Sequence, residues 1–348
     1  MNLKELANSL KLSQTTVSRA LNGYPEVSEN TRRRVQEAAL DNHYQPNVRA
    51  TGLATGKAMA IGHVIPVHNK NDVVNPVFGE FIAGASQTYS EHGYELLLTI
   101  ADRDNEHEVY QSIAAKGAVD GVIVHSPQRR DDRIALLRQI GLPFVVHGRV
   151  SESDLPYSWV DMDNRTAFDQ ATKLLLNMGH KDIALINGPH DLNFAWLRAQ
   201  GYRDALNQAG IEPDENLISH GELTEVHGFE HAFRLLSLSR APTAFLVSSY
   251  VAAIGVRRAI SRCALQIGED VSVIVHDDEL SYFDNQGEVP QFTATRSSVR
   301  EAGVQAAKML LDIIDKPEKA PLSKRLKASL IVGASTGPVD MPQQREQA

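Results

Sequence analysis

The sequence of 348 residues contains one cysteine, Cys263, which leaves no partner for a disulfide within the chain and excludes a zinc site built from several cysteines. Long apolar runs are also missing, because stretches such as AIGHVIPV and TAFLVSSYVAAIGV are too short or too interrupted to span a bilayer. The first residues, MNLKELANSL, lack the apolar centre of a secretory signal peptide. These absences predict a cytoplasmic protein.

Motifs for cofactor and metal chemistry are scarce. No G-x-G-x-x-G loop is present, and GLATGK at 52–57 has one residue too few between its glycines for a phosphate-binding P-loop. The acidic run VHDDE at 275–279 is a poor metal cage, because adjacent residues at a strand end point to alternate sides. We therefore predict no catalytic residue, no cofactor and no metal site.

Charge is distributed unevenly along the chain. The formal net charge is −8, yet residues 1–57 carry eight Lys and Arg against five Asp and Glu. A basic N-terminal segment on an acidic body predicts that this segment binds an anionic polymer such as a nucleic acid. The alternative is a segment whose charges are simply solvated.

The N-terminal segment has the pattern of three short helices. Asn2 and Glu5 have the spacing of a capping box before a first helix. Ser13 is a suitable cap for a second helix from about 14 to 21, and Ser28 for a third. The apolar side chains expected to form a core between these helices are Leu3, Leu6, Ala7, Leu10, Val17, Ala20, Leu21, Val35, Ala38, Ala39 and Leu40.

The second helix leaves a polar face outward. In the major groove of DNA, Gln can pair with adenine edges, Arg with guanine, and Thr with bases or phosphates. The pattern predicts a helix-turn-helix, although by itself it also fits a solvated helix in a small bundle. The outward residues are Gln14, Thr15, Thr16, Ser18 and Arg19.

These N-terminal motifs together resemble the head of a LacI/GalR-family transcriptional regulator. The resemblance is carried by TVSRALN, by VSENTRRRV and by the YQPN segment that precedes ATGLATGK. It implies that Gln14, Thr15 and Arg19 read bases. It further implies that the residues holding phosphates and setting the docking register are Thr16, Ser18, Asn22 and Tyr44.

The segment at 46–56 corresponds to the hinge of that family. It has too few apolar residues to fold against a core, and an isolated helix of this length is marginal in water. The resemblance implies that it becomes helical only on operator DNA, paired with its twin from a second subunit. Leu53 then takes the position that wedges into the minor groove.

From residue 60 onward, short apolar strands alternate with amphipathic helices, the first of them around 78–92, 106–117 and 132–141. Two such series follow one another, and this alternation favours an α/β fold of parallel sheets covered by helices on both faces. Two similar lobes with a cleft between them are expected. Ligands of such sheets bind beyond the carboxyl ends of the strands.

The family resemblance continues through the body in GHKDIALINGP, LRAQGYRDAL, DVSVIVHDD and AGVQAAKMLLDII. It implies a two-lobed core of the periplasmic-binding-protein type, with chain crossings near residues 161, 290 and 323. The expected domains are a DNA-binding head with hinge at 1–57 and an effector-binding, dimerising core at 58–340. Within that core, lobe 1 is expected at about 58–160 and 291–322, and lobe 2 at about 161–290 and 323–340.

The resemblance also implies an effector site in the cleft. Arg198 matches an arginine that grips ligand oxygens, and Asp277 matches an aspartate that accepts hydrogen bonds from ligand hydroxyls. Aromatic walls would stack on sugar rings, while a few charged groups fix the hydroxyls; each aromatic could instead be a core residue. The predicted effector residues are Asn75, Phe78, Arg149, Phe194, Trp196, Arg198, Tyr250 and Asp277.

One position departs from the family pattern. After the strand TAFLV, many members carry an acidic pair that reaches the ligand, whereas this chain has Ser249 and Tyr250. A phenol in place of a carboxylate favours a larger, less polar ligand, such as a disaccharide. The motifs HGR and YSWVDMDN are similar to those of α-glucoside-responsive regulators.

The sequence thus predicts a transcriptional repressor that binds pseudo-palindromic, double-stranded operator DNA as a homodimer and responds to a small sugar effector. The C-terminal GPVDMPQQREQA has no leucine heptads, which argues against a tetramerising coiled coil. The alternative is a cytoplasmic carbohydrate-binding or carbohydrate-active enzyme with a two-lobed α/β fold.

Overall fold

The computed structural model describes residues 1–21, 23–44, 56–67, 75–276, 279–283, 285 and 287–339. The chain divides into two compact units, a head formed mainly by Met1–Met59 and a core that begins at Ala60. The predicted hinge at 46–56 falls almost wholly outside the described residues, as do Asn22, Leu53 and Asp277.

The described residues of the head form three helices, α1 (Leu3–Leu10), α2 (Gln14–Leu21) and α3 (Glu29–Asp41). The predicted caps are confirmed. Asn2 and Glu5 form the reciprocal bonds of a capping box, the Ser13 hydroxyl accepts the Thr16 amide at 3.0 Å, and the Ser28 hydroxyl accepts the Thr31 amide at 3.3 Å. These bonds satisfy amides that a helix start leaves unpaired.

The head core forms where the apolar stripes of the three helices meet. Leu40 was expected there but is 76% exposed. Val35 and Ala39 are four residues apart and share one face of α3, whereas the next residue is turned about 100° away from that face. The buried members of the head core are Leu6, Ala7, Val17, Ala20, Val27, Val35 and Ala39.

The described part of the core contains two sheets, which agrees with the two series of strands predicted from the alternating pattern, and each sheet has six strands. The first has the strand order β11-β5-β4-β3-β1-β2 and its pairings are parallel. Its strands are β1 (Ala60–Val67), β2 (Glu95–Asp102), β3 (Gly121–Val124), β4 (Phe144–His147), β5 (Trp159–Met162) and β11 (Ser323–Leu326).

The second sheet has the order β12-β10-β9-β8-β6-β7 and is parallel except for β12, which runs antiparallel to β10. Its strands are β6 (Ile183–Asn187), β7 (Ile218–His220), β8 (Ala244–Val247), β9 (Ser272–His276), β10 (Thr293–Arg296) and β12 (Ser329–Ile331). Central strands such as β6, β8 and β9 are buried along their whole length, as expected of parallel sheets with both faces covered.

Helices cover both sheets. Where the structure describes the core, its α-helices are α4 (Pro76–Glu91), α5 (Glu106–Ala115), α6 (Arg133–Ile140), α7 (Asn164–Asn177), α8 (Asn193–Gln208), α9 (Glu225–Leu236), α10 (Tyr250–Arg262) and α11 (Val299–Asp315). The first three confirm the helices predicted around 78–92, 106–117 and 132–141. No helix among the described residues is both long and apolar enough to cross a membrane.

Two of the chain crossings between the lobes lie later than predicted. Strands β5 and β11 pair in the first sheet, and β10 pairs in the second. The first crossing follows Met162, in agreement with the position predicted near 161, whereas the other two follow Arg296 and Leu326, six and three residues beyond 290 and 323. The sheet that a short strand joins depends on which strands pair with it, and local sequence does not identify these partners.

Candidate functional site

A cavity lies between the two lobes of the core, where the strands of both sheets reach their carboxyl ends. It encloses about 1260 Å³, including its open mouth. Parallel α/β sheets bind ligands at this edge because the loops there converge. Its wall is formed by Pro66, Asn75, Val77, Phe78, Ser126, Pro127, His147, Gly148, Arg149, Asp161, Met162, Asn164, Pro189, Leu192, Phe194, Arg198, Glu222, Leu223, Ser248, Ser249, Ser297, Val299 and Ala302.

Arg198 is held firmly in this wall from the second lobe. Its side chain, on α8, is almost fully buried. Its Nε donates to the Asn164 side-chain oxygen at 2.7 Å, and its Nη1 donates to the Ser248 carbonyl at 2.8 Å. The guanidinium also lies 4.6 Å from the centre of the Phe194 ring, a cation–π contact. The cavity therefore has a positive charge with fixed orientation.

A buried carboxylate faces the cavity from the first lobe. Asp161 is the residue before the last of β5 and is only 4% exposed, and one of its oxygens lies 3.3 Å from Nε of Arg149. Burial raises the pKa of Asp161 to about 6, although the positive charge of Arg149 opposes the rise. The pair offers a carboxylate that can accept hydrogen bonds and a guanidinium that can donate them, which suits a ligand rich in hydroxyls.

Asn75 and Phe78 also reach the wall, from the start of α4. The Asn75 side-chain oxygen accepts the Val77 amide at 3.0 Å and so caps the helix. The Phe78 ring meets His125 edge-on, with 5.5 Å between the ring centres. Together with Phe194, Phe78 provides an apolar surface of the kind on which sugar rings stack.

Two predicted residues do not lie in this wall. Phe194 and Arg198 are four residues apart on α8 and share a face, whereas Trp196 is turned about 200° from Phe194 and packs under the Arg129 guanidinium at 4.8 Å. Tyr250 is buried against Phe283 and Phe292. The expectation that these two aromatics line the cavity is therefore wrong in this structure, and the neighbour Ser249 lines it instead.

Sequence reasoning missed several polar groups of the wall. Asp161 is an acidic residue inside an otherwise apolar strand, and this contrast in the sequence could have marked it as a site residue. Asn164 follows it at the start of α7 and connects it to Arg198, because the Asn164 amide nitrogen lies 3.5 Å from Asp161 Oδ1. The remaining missed polar side chains are Ser126, His147, Glu222, Ser248, Ser249 and Ser297.

The predicted DNA-reading face of the head is open. Gln14, Thr15 and Arg19 are exposed on α2. Thr16 and Ser18 are half-buried, and the Thr16 hydroxyl lies 2.8 Å from that of Ser13. Tyr44 is half-buried and packs against the head core. The exposed side chains of α2 therefore offer an amide, a hydroxyl and a guanidinium. The major groove of DNA is wide enough to admit an α-helix.

The segment GASTG at 333–337 has the G-x-S-x-G spacing found around some serine nucleophiles, but its serine has a structural role. Ser335 is fully buried. Its hydroxyl accepts a hydrogen bond from the Thr293 amide at 2.8 Å and donates one to the Val273 carbonyl. The side chain therefore connects β10 with β9. Across the described ranges, no three His, Cys, Asp or Glu side chains are grouped so as to hold a metal ion.

A helix-turn-helix head followed by a two-lobed core with a polar cleft defines a ligand-responsive DNA-binding regulator. Residues 2–47 match the bacterial regulatory proteins of the lacI family, and residues 59–332 match the periplasmic binding proteins and sugar binding domain of the LacI family. The chain belongs to the LacI family of transcriptional regulators.

Particular relatives span nearly the whole chain. The HTH-type transcriptional regulator AglR of Rhizobium meliloti is 44% identical over 97% of this chain and 95% of its own length. The structure of the transcriptional regulator CelR in complex with cellobiose is 29% identical, with a TM-score of 0.72, over 96% of this chain and 99% of that one. The Lac repressor dimer on its operator, 24% identical with a TM-score of 0.83 over 97% of this chain and 99% of that one, shares the fold.

Proposed function

We propose that this protein is a repressor that binds a pseudo-palindromic operator through α2 and loses operator affinity when a sugar occupies the core cavity. The single observation that carries the proposal is the cavity wall, in which two arginines, a buried carboxylate and two phenylalanines converge. Such a wall matches a sugar, whose hydroxyls need donors and acceptors and whose ring faces are apolar.

For the effector, we propose a disaccharide, with α-glucosides as the first class to test. The CelR structure, which this chain resembles over 96% of its length, holds cellobiose, itself a disaccharide. The Tyr250 phenol does not support a disaccharide, because its ring packs in the core of the second lobe and not in the cavity. The support comes instead from Phe78 and Phe194, which line the cavity from different lobes and offer two apolar surfaces for sugar rings.

On the DNA side, the proposed base readers are Gln14, Thr15 and Arg19, which are the exposed side chains of α2. Thr16, Ser18 and Tyr44 are proposed to set the docking register through phosphates. Asn22 and Leu53, which the structure does not describe, keep the roles that the family resemblance gives them. Effector control then requires that the sugar bind the low-affinity conformation more tightly than the operator-bound one.

Homodimerisation has support on the surface of the core. Strand β2 is the end strand of its sheet in the order described above, and it exposes Leu97, Leu98 and Ile100 by 36%, 44% and 49%. Adjacent exposed aliphatic side chains on an edge strand mark an interaction surface. We propose a second copy of the chain as the occupant. Sedimentation of the purified protein tests this, and a monomer at micromolar concentration contradicts it.

The operator test begins with selection of bound sequences from a random DNA pool by the purified protein. Arg19→Ala should weaken binding to the selected site by about 1–3 kcal/mol and relax preference at one base pair in each half-site, because a base contact is lost. Arg34→Ala, an exposed arginine on α3, is the matched control and should leave base preference unchanged. Unchanged affinity and preference in Arg19→Ala would show that α2 does not read the site.

The effector test uses the same operator in a titration with maltose, sucrose, cellobiose, raffinose and free glucose. Release of operator by a disaccharide, together with a thermal shift of the protein, is the expected result. Release by glucose alone would contradict the disaccharide proposal, and release by none of these sugars, with no thermal shift, would contradict a cavity built for them.

A further inference from the structure

A chain of hydrogen bonds runs through the buried interior of the first lobe to the cavity wall. Tyr89 on α4 lies with its hydroxyl 2.9 Å from Nε2 of His63 on β1. Nδ1 of His63 lies 3.2 Å from Nε2 of His125, which follows β3. Nδ1 of His125 lies 3.3 Å from Nδ1 of His147, the last residue of β4. Because β1, β3 and β4 are adjacent strands, this register sets the three rings in a row.

The far end of the chain reaches the ligand space. Tyr89, His63 and His125 are almost completely buried, whereas His147 is half-buried and forms part of the cavity wall. Phe81 stacks on the His147 ring with 4.1 Å between centres and so fixes its plane. Because Nδ1 of His147 is engaged by His125, Nε2 is the ring nitrogen of this cavity-lining residue that is left for a ligand.

All three imidazoles are neutral near pH 7. Burial lowers the pKa of His63 to about 3 and that of His147 to about 4, and it lowers the pKa of His125 well below its usual value. A neutral imidazole carries one N–H, so one ring nitrogen donates and the other accepts. The row of rings therefore has only two self-consistent arrangements, which differ in the direction of every hydrogen bond.

Tyr89 selects between the two arrangements. Within the described part of the chain, Nε2 of His63 is the hydrogen-bond partner of its hydroxyl. In one direction the buried hydroxyl donates to His63, and every N–H inside the row finds an acceptor. In the other direction His63 donates to the phenol oxygen, and the phenol hydrogen is left buried without an acceptor, which is costly. The first direction is favoured.

We propose that this row fixes His147 in the Nε2–H form, so that it presents a permanent hydrogen-bond donor to the ligand. His147 then selects sugars that place an acceptor oxygen, such as a hydroxyl, ring or glycosidic oxygen, opposite this N–H. Tyr89, His63 and His125 act as positioning residues, since none of them lines the cavity. This inference rests on the proposed function, because it assigns a role within the same sugar site.

The tautomer can be measured without any sugar. Long-range ¹H–¹⁵N spectra at pH 7 distinguish protonated from unprotonated ring nitrogens, with His147→Gln assigning the signals. We expect a protonated Nε2 and an unprotonated Nδ1 for His147. In Tyr89→Phe, the Nδ1-protonated form should become populated. In Tyr110→Phe, which alters an equally buried tyrosine of the same lobe outside the row, the spectrum of His147 should not change.

Two spectroscopic results would overturn the proposal: an Nδ1-protonated His147 in the unaltered protein, or an unchanged His147 spectrum in a folded Tyr89→Phe protein. Cellobiose and maltose are then titrated into the same samples. Tyr89→Phe should lower the affinity for the sugar that binds several-fold, and Tyr110→Phe should leave it unchanged. Equal affinities in the two variants would contradict the donor role of His147. If neither sugar moved any cavity signal while the tautomer was as expected, the proposed effector class would fail and the positioning row would stand.

Discussion

At the residue scale, the polar groups of the cavity are oriented by the protein itself. Arg198 is the clearest case, because Asn164 and the Ser248 carbonyl hold two of its nitrogens at 2.7 and 2.8 Å. A side chain already fixed in its binding geometry loses little conformational freedom when the ligand arrives. The planar guanidinium also bonds two partners at once, which a lysine ammonium on a flexible stem does not reproduce.

Arg198→Lys should therefore lower sugar affinity by about 1.5–3 kcal/mol, the usual cost of losing a hydrogen bond to a charged group. Operator binding without sugar should persist, so the variant would repress and ignore the inducer. Calorimetry and an operator-binding assay measure the two effects. Arg203→Lys is the matched control on the same helix, since Arg203 bonds Glu215 and lies outside the cavity wall. Unaltered sugar affinity in Arg198→Lys would place the sugar elsewhere.

At the scale of helices, three pairs pack backbone to backbone through glycines: α4 with α11, α7 with α8, and α9 with α10. A Cβ on Gly84 of α4 would lie 2.1 Å from the Arg300 carbonyl oxygen of α11. In the second lobe, a Cβ on Gly255 of α10 would lie 1.9 Å from the Glu225 carbonyl oxygen of α9. Because the obstacle in each case is backbone, it cannot rotate away, and the helices would have to separate.

We predict that Gly84→Ala lowers the free energy of unfolding by about 1–3 kcal/mol, the usual cost of overpacking. Gly79→Ala is the matched control, because Gly79 lies on the same helix with nothing within 4 Å of its added Cβ. There, alanine should be neutral or stabilising by up to about 1 kcal/mol, through its higher helix propensity. Urea denaturation followed by circular dichroism compares the two, and equal stabilities would contradict the packing explanation.

At the scale of the whole molecule, the buried histidines link stability to pH. His63, His125, His147 and His276 have lowered pKa values because burial disfavours the charged imidazolium. Below their ordinary value of 6.5, the unfolded chain binds protons that the folded core does not, so stability falls as pH falls. Asp161 acts in the opposite direction between about pH 6 and pH 4, because its folded pKa is the raised one.

The effect of these four histidines is larger than that of Asp161. Each group that is protonated in only one of the two states changes the free energy of unfolding by about 1.4 kcal/mol per pH unit. We therefore predict that the free energy of unfolding decreases on acidification from pH 6.5 to pH 5, by an amount on the order of 5 kcal/mol. Urea titrations followed by the fluorescence of the two tryptophans measure it. Stability that is constant or rises over this range would contradict neutral, buried histidines.

Much of the architecture could be predicted because its causes are local. Asn2, Ser13 and Ser28 start the head helices through hydrogen bonds that span three residues, so the caps were visible in the sequence. Arg198 and Phe194 could be located through family motifs. Trp196 and Tyr250 could not be excluded in the same way, because an aromatic side chain fits a ligand wall and a protein core equally well.

Periodicity, caps and motifs act over a few residues, and they were enough to predict the helices of the head, the succession of strands and helices in the core, and the family to which the chain belongs. The folded structure was needed to show which sheet β5, β10 and β11 join, that Asp161 faces Arg149, and that His63, His125 and His147 form one row. Those outcomes depend on pairing and burial between segments far apart in the chain, where the energy of each contact depends on every neighbour that encloses it.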